Sequence, residues 1–163
     1  MRRIDLAQAG QAHFLRLSVE LEMAQVLAQE ADPALARTLA GLVERQRASL
    51  DDGDLAMFTQ IDMEFHRCLY HAAAVPDLWS MMRSRSGNLD RLRRLHLPLN
   101  GKALSILEQH AAIADAIGRG DAAAAQHMVR VHLSGTLSAI DALRTRYPDL
   151  LLPLDYQAPV MAA

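Results

Sequence analysis

Asp62 and His66 stand four residues apart in the stretch Ile61-Asp62-Met63-Glu64-Phe65-His66. On a helix that spacing puts both on one face, a turn apart. The face is otherwise apolar, carrying Leu55, Phe58, Phe65, Leu69 and Ala73. A carboxylate and an imidazole on a core stripe need partners there, because burying charge alone is expensive. A fold that suits this chain must supply those partners from other elements.

The punctuation predicts what those elements are. No Pro falls between about Ala9 and Glu30, and strong helix formers fill the stretch, so it reads as a helix. Asp32-Pro33 caps and opens a second, about Pro33 to Leu50. Asp54 caps a third, to about Ala74, ended by Val75-Pro76. A fourth is expected over about Asp77 to Leu97 and a fifth over about Lys102 to Ile117, closed by Gly118-Arg119-Gly120. Asp121 caps a sixth, expected to reach about Arg146 before Pro148. No period-2 strand pattern stands out. The expected fold class is all-α: an antiparallel bundle of six to seven helices with short loops, enclosing a cavity.

Composition narrows the function classes. The 163 residues suffice for one domain with a core, and 51% are hydrophobic. A net charge of −2 gives no global pull toward nucleic acid or anionic lipid. The single cysteine, Cys68, excludes an internal disulfide and fits a reducing compartment, so a cytoplasmic location is expected. No apolar run approaches ~20 residues and no signal peptide is seen, so no membrane partner is expected.

Two further histidines repeat the pattern of His66. His110 lies within the stripe Ala103, Ile106, Leu107, Ile113, Ala114 and Ile117, and His132 among Met128, Val129, Thr136 and Ala139. Three imidazoles and a carboxylate on inward faces suit a borderline divalent metal. A buried polar network, or histidines unrelated to one another, remain alternatives. His13, His71, His96 and His127 read as surface or helix-end residues, with His96 within reach of a pocket. Arg16 and Glu20 form an i,i+4 pair, either a surface ion pair or an arginine aimed inward to meet a carboxylate. Arg91-Leu92-Arg93-Arg94-Leu95-His96 reads either as a solvated cationic end or as a pocket wall contributing one arginine. As a DNA-binding patch it is short and lacks aromatics.

The combination Asp62-x3-His66-x2-Leu69-x2-Ala72-Ala73, then Glu108-Gln109-His110, Gly120-Asp121 and His132-Leu133, resembles the FCD effector-binding domain. That is the C-terminal domain of the FadR subfamily of GntR-type bacterial transcription regulators. The resemblance implies an all-helical bundle that is a sensor, not an enzyme, and that is a homodimer. It implies a divalent ion on Asp62, His66, His110 and His132, with zinc favoured and nickel or manganese as options. It implies a small organic carboxylate effector, with Arg16 at the family's first-helix arginine. Arg16, Glu20, Arg94 and His96 are the expected ligand-binding set. Residues 9–147 are the expected FCD-like domain, after a leader over 1–8 and before an irregular tail over 148–163. DNA contact is expected only through a winged helix-turn-helix domain, which the helical reading does not place in this sequence. Val75-Pro76 stands where the family usually has Asn-Pro. A metal-dependent hydrolase in a helical bundle is the alternative, weakened by the lack of a His-Glu-x-x-His arrangement and of a clear general base.

Overall fold

Aspartates set where the helices begin. In the computed structural model, which describes residues 3–99 and 101–152, α1 (Leu6–Glu30) starts after Asp5, whose carboxylate accepts from the Gln8 amide at 3.0 Å. Asp32 does the same for α2 (Pro33–Asp51), with Pro33 in the first turn. Asp54 caps α3 (Leu55–Ala72) and Asp121 caps α7 (Ala122–Ser134) through the amides of Met57 and Ala124. Each cap satisfies an amide that the first helical turn leaves unpaired.

Two long helices expected from the sequence are broken. The fourth divides into α4 (Pro76–Arg85) and α5 (Gly87–His96) at Ser86. The buried Ser86 hydroxyl donates to the Met82 carbonyl at 2.9 Å, and Gly87, a weak helix former, opens α5. The last divides after Ser134: Gly135 ends α7, a single 3-10 turn spans Leu137–Ala139, and α8 covers Ile140–Arg146. α6 (Lys102–Gly118) stands much as read, while α1 starts three residues before Ala9. Val75 precedes α4 without any side-chain cap hydrogen bond, so the polar cap an asparagine offers is not replaced there.

The architecture is an all-α bundle. Five helices form a closed ring in which α1 packs on α7, α7 on α6, α6 on α2, α2 on α3 and α3 on α1. Close approach of α2 and α6 is specified by Gly118, where an added Cβ would stand 3.1 Å from the Ala36 methyl. Leu17, Leu39, Phe58, Phe65, Leu107 and Ile113 fill the ring interior, each at most 1% exposed. α4 and α5 lie against α1. A smaller apolar cluster joins Ile4, Leu6, Leu92, Leu143 and Leu151, and an isolated parallel bridge pairs Ile4 with Leu151. Among the described residues there is no strand, and no helix is long and apolar enough to cross a membrane. Of the tail expected over 148–163, the part from 153 onward lies outside the described residues.

Candidate metal centre

The ring brings Asp62 and His66 of α3, His110 of α6 and His132 of α7 to one point. All four are buried, and one ligand atom from each lies within 4.8 Å of every other. His66 Nε2 is 3.1 Å from His132 Nε2, and His110 Nε2 is 3.2 Å from the same atom. Asp62 Oδ1 stands 3.6 Å from His110 Nε2. Ligands at about 2.1 Å from a tetrahedral ion are about 3.4 Å from one another, so these separations fit one ion.

The surrounding bonds decide the tautomers. His66 Nδ1 meets Glu20 Oε2 at 2.8 Å, and a carboxylate only accepts, so Nδ1 carries the proton. His110 Nδ1 meets Gln46 Oε1 at 2.7 Å. The Gln46 amide faces that way because its NH2 donates to the Phe58 carbonyl at 3.4 Å. His132 Nδ1 meets Gln109 Oε1 at 3.1 Å, with the Gln109 NH2 on Ser105 Oγ at 3.0 Å. Three Nε2 lone pairs therefore converge, and none can donate to another. Among the described residues Asp62 Oδ1 is the one buried side-chain oxygen or nitrogen without a hydrogen-bond partner. A divalent cation satisfies all four donors at once, so these residues fit a metal.

Protonation agrees with that fit. Burial holds His66 and His132 well below the ordinary imidazole range and lowers His110 to about 4. Burial pushes the Asp62 carboxyl up, but Arg93 foremost, with the other positive charges nearby, pulls it below the usual range. At neutral pH the quartet is three neutral imidazoles and one carboxylate. The Phe65 ring stacks on His110 at 4.1 Å between centroids and 8° between planes, which fixes that imidazole from the side.

Of the ligand-binding residues expected from sequence, Arg16 and Glu20 are inside the bundle, not on the surface. Their side chains are 6% and 0% exposed and bonded at 2.7 Å. Glu20 is fully engaged: Oε1 accepts from Arg16 and, at 3.5 Å, from the Tyr70 hydroxyl, while Oε2 takes His66. It orients His66, which its spacing alone did not reveal. Burial opposes the Arg16 charge, but Glu20 and Asp62 more than offset this and raise its pKa.

Arg94 is exposed at the rim of the larger cavity, and His96 is half-buried with Nδ1 3.4 Å from Thr136 Oγ1. The inward arginine of that run is Arg93, whose guanidinium donates to Asp62 Oδ2 at 2.7 Å. His13, expected at the surface, is 7% exposed and lines a cavity beside Arg16; burial lowers it to about 4. His13, Arg16 and Glu20 fall at i, i+3 and i+7, a spacing that marks one helix face.

Two chambers flank the quartet. The larger, about 40 Å³, is lined by Asp62, Phe58, Met63, Arg83, Arg93 and Lys102 among others. The smaller, about 10 Å³, is lined by His13, Arg16, His132 and Leu89, and shares Arg93, Lys102, Ile106 and Thr136 with the first. Gln46 and Gln109 were not legible as site residues, since a glutamine one helix away carries no spacing signal.

A buried centre of one aspartate and three histidines, ringed by helices and flanked by cationic chambers, defines a ligand-sensing helical domain. The FCD domain model matches residues 11–135. The chain belongs to the FCD domain family, the effector-sensing domains of GntR-type transcription regulators. It is 34% identical over 148 residues to an uncharacterized HTH-type transcriptional regulator in an unstable DNA locus of Streptomyces ambofaciens, covering 91% of this chain and 62% of that protein. It is 32% identical to the HTH-type transcriptional repressor NanR of Citrobacter rodentium, covering 82% of this chain and 52% of the other. The HTH-type transcriptional repressor RspR of Escherichia coli is 22% identical, with 91% and 65% covered. The chain thus spans just over half to two thirds of the curated relatives it matches.

Proposed function

We propose that the chain senses a small organic carboxylate through a divalent ion held by Asp62, His66, His110 and His132. The observation that carries this reading is the convergence of three unprotonated Nε2 atoms on the orphaned Asp62 Oδ1, next to a cavity walled by Arg93. When bound, the ion supplies positive charge and open positions for carboxylate oxygens. Zinc suits a buried site of three imidazoles and one carboxylate, and nickel or manganese are the alternatives. Glu20, Gln46 and Gln109 hold the rings in register.

Arg93 neutralises Asp62 in this structure. Its guanidinium also lines both chambers, so it is placed to meet a carboxylate bidentately. Arg16 stands behind the second chamber, Arg94 at the rim of the first, and His96 beside Thr136, and these complete the proposed ligand-binding set; Glu20 serves it by holding Arg16 and His66. The effector-sensing unit is the helical body over residues 9–147. Binding favours one arrangement of α1, α5 and α7. In the longer regulators that preference is passed to a helix-turn-helix domain, and DNA contact belongs to that domain alone. The assembly is a cytoplasmic homodimer, which light scattering of the purified chain tests: a monomeric mass removes the claim.

Calorimetry of the zinc-loaded chain with a panel of organic acids is the direct experiment. Binding should be lost with His110→Ala and weakened with Arg93→Met. Unchanged metal and acid binding in His110→Ala would remove the reading.

A further inference from the structure

The cations around the chambers are not equally employed. Arg16 is paired with Glu20, Arg83 with Asp90 and Arg93 with Asp62, each at 2.7 Å. Arg94 is exposed to water. Lys102 is different. The residue is only 9% exposed, yet among the described residues its ammonium has no hydrogen-bond or ion-pair partner. It lines both chambers, sharing the first with Asp62 and the second with His132.

Gly135 is the neighbour of that ammonium. A Cβ on Gly135 would stand 2.5 Å from Lys102 Nζ. Gly135 has φ −60° and ψ −27°, which any residue adopts, so the backbone does not require glycine there. A side chain there would push the ammonium aside. Burial, followed by Arg93, lowers its pKa. The three ion pairs cancel, so among the described residues lining the chambers Lys102 is the cation, besides the exposed Arg94, that has no counter-charge, before any metal adds more.

We propose that Lys102 receives a second anionic group of the effector, so that the site selects small diacids over monoacids of the same size. This rests on the effector-sensing reading above. The first acidic group meets the metal and Arg93; the second, a carboxylate or a phosphate, meets the Lys102 ammonium near Thr136. The chambers beside the quartet are small, the larger about 40 Å³, so the diacid is short.

The test uses the zinc-loaded 163-residue chain with three probes: 2-hydroxybutyrate, malate and phosphoglycolate. The first two share a four-carbon 2-hydroxy acid frame and differ in the second carboxylate. Malate should bind tighter by about tenfold or more, the scale of a hydrogen bond to a charged group. Lys102→Met should abolish that preference while leaving 2-hydroxybutyrate within about twofold, because the deleted charge meets only the second group. Gly135→Ala, which displaces the ammonium and keeps its charge, should reduce the preference too. A higher affinity for phosphoglycolate than for malate identifies the second group as phosphate. Equal binding of malate and 2-hydroxybutyrate, or a preference that survives Lys102→Met, overturns the inference and leaves the metal-and-carboxylate reading standing. Binding of zinc but of none of the three acids overturns both.

Discussion

His66 Nε2 and His132 Nε2 face each other at 3.1 Å although the Nδ1 atom of each ring already donates to another side chain. Two lone pairs at that distance repel unless a cation lies between them. A divalent ion should therefore stabilise the fold directly. At a free ion concentration 100 times its Kd the gain is about 2.7 kcal/mol. Calorimetric melting of the chelator-stripped chain, before and after adding zinc, measures it; an unchanged Tm would contradict the site.

The three imidazoles are held by residues outside the quartet. Gln46 is fully buried and accepts a hydrogen bond from His110 Nδ1–H. Gln46→Leu keeps the volume and removes the acceptor. Metal affinity should fall about 10- to 100-fold, as it does when outer partners of ligand histidines are lost. Competition with a chromogenic chelator reads this, and an affinity equal to that of the wild type would show that His110 needs no such support.

Glu20 links Arg16 to His66 inside the bundle. Glu20→Leu strands a buried guanidinium and should cost about 3–5 kcal/mol in urea unfolding. The double variant Arg16→Met/Glu20→Leu removes both charges and should recover much of that loss. A double variant no more stable than the single one would mean the pair is not the source of the cost.

Acid should weaken the metal-free chain. His13 and His110 are lowered to about 4 by burial, against 6.5 when exposed. Between these values the unfolded chain binds protons that the folded chain refuses, so stability rises with pH across about 4 to 6.5 and is lost as pH falls through it. Chemical denaturation at several pH values should show this slope. His13→Leu should flatten part of it, since His13 is not a metal ligand.

Catalysis is not expected. Glu64, the nearest carboxylate by sequence, is tied to Arg45 at 2.9 Å, and Glu20 has no free oxygen. The zinc-loaded chain should turn over no ester or amide substrate. Turnover that disappears in Asp62→Ala would reverse the assignment.

How much of this the sequence disclosed depends on the kind of signal. The Asp62, His66, His110 and His132 set was readable because a polar residue on an apolar stripe violates a period. The caps Asp32, Asp54 and Asp121 were readable because capping is local. The breaks at Ser86 and Gly135 were not. At both the backbone stays in the right-handed helical region, φ −80° and ψ −4° at Ser86 and φ −60° and ψ −27° at Gly135, so no proline or left-handed turn marks either break. Arg93 was hidden among Arg91 and Arg94, since three arginines in four residues give no clue to which one turns inward. His13 looked like a helix-end residue until α1 was seen to run past it from Leu6.

Arg93 has Leu92 beside it in α5. Leu92 is fully buried against Ile4, Leu6, Leu143 and Leu151, in the cluster that fastens the start of α1 to the segment after α8. Any turn of α5 that carries Arg93 from Asp62 toward an incoming acid must also work against this apolar clamp. The site is therefore geared to the first residues of α1, and the gear tooth is a leucine with no polar chemistry at all.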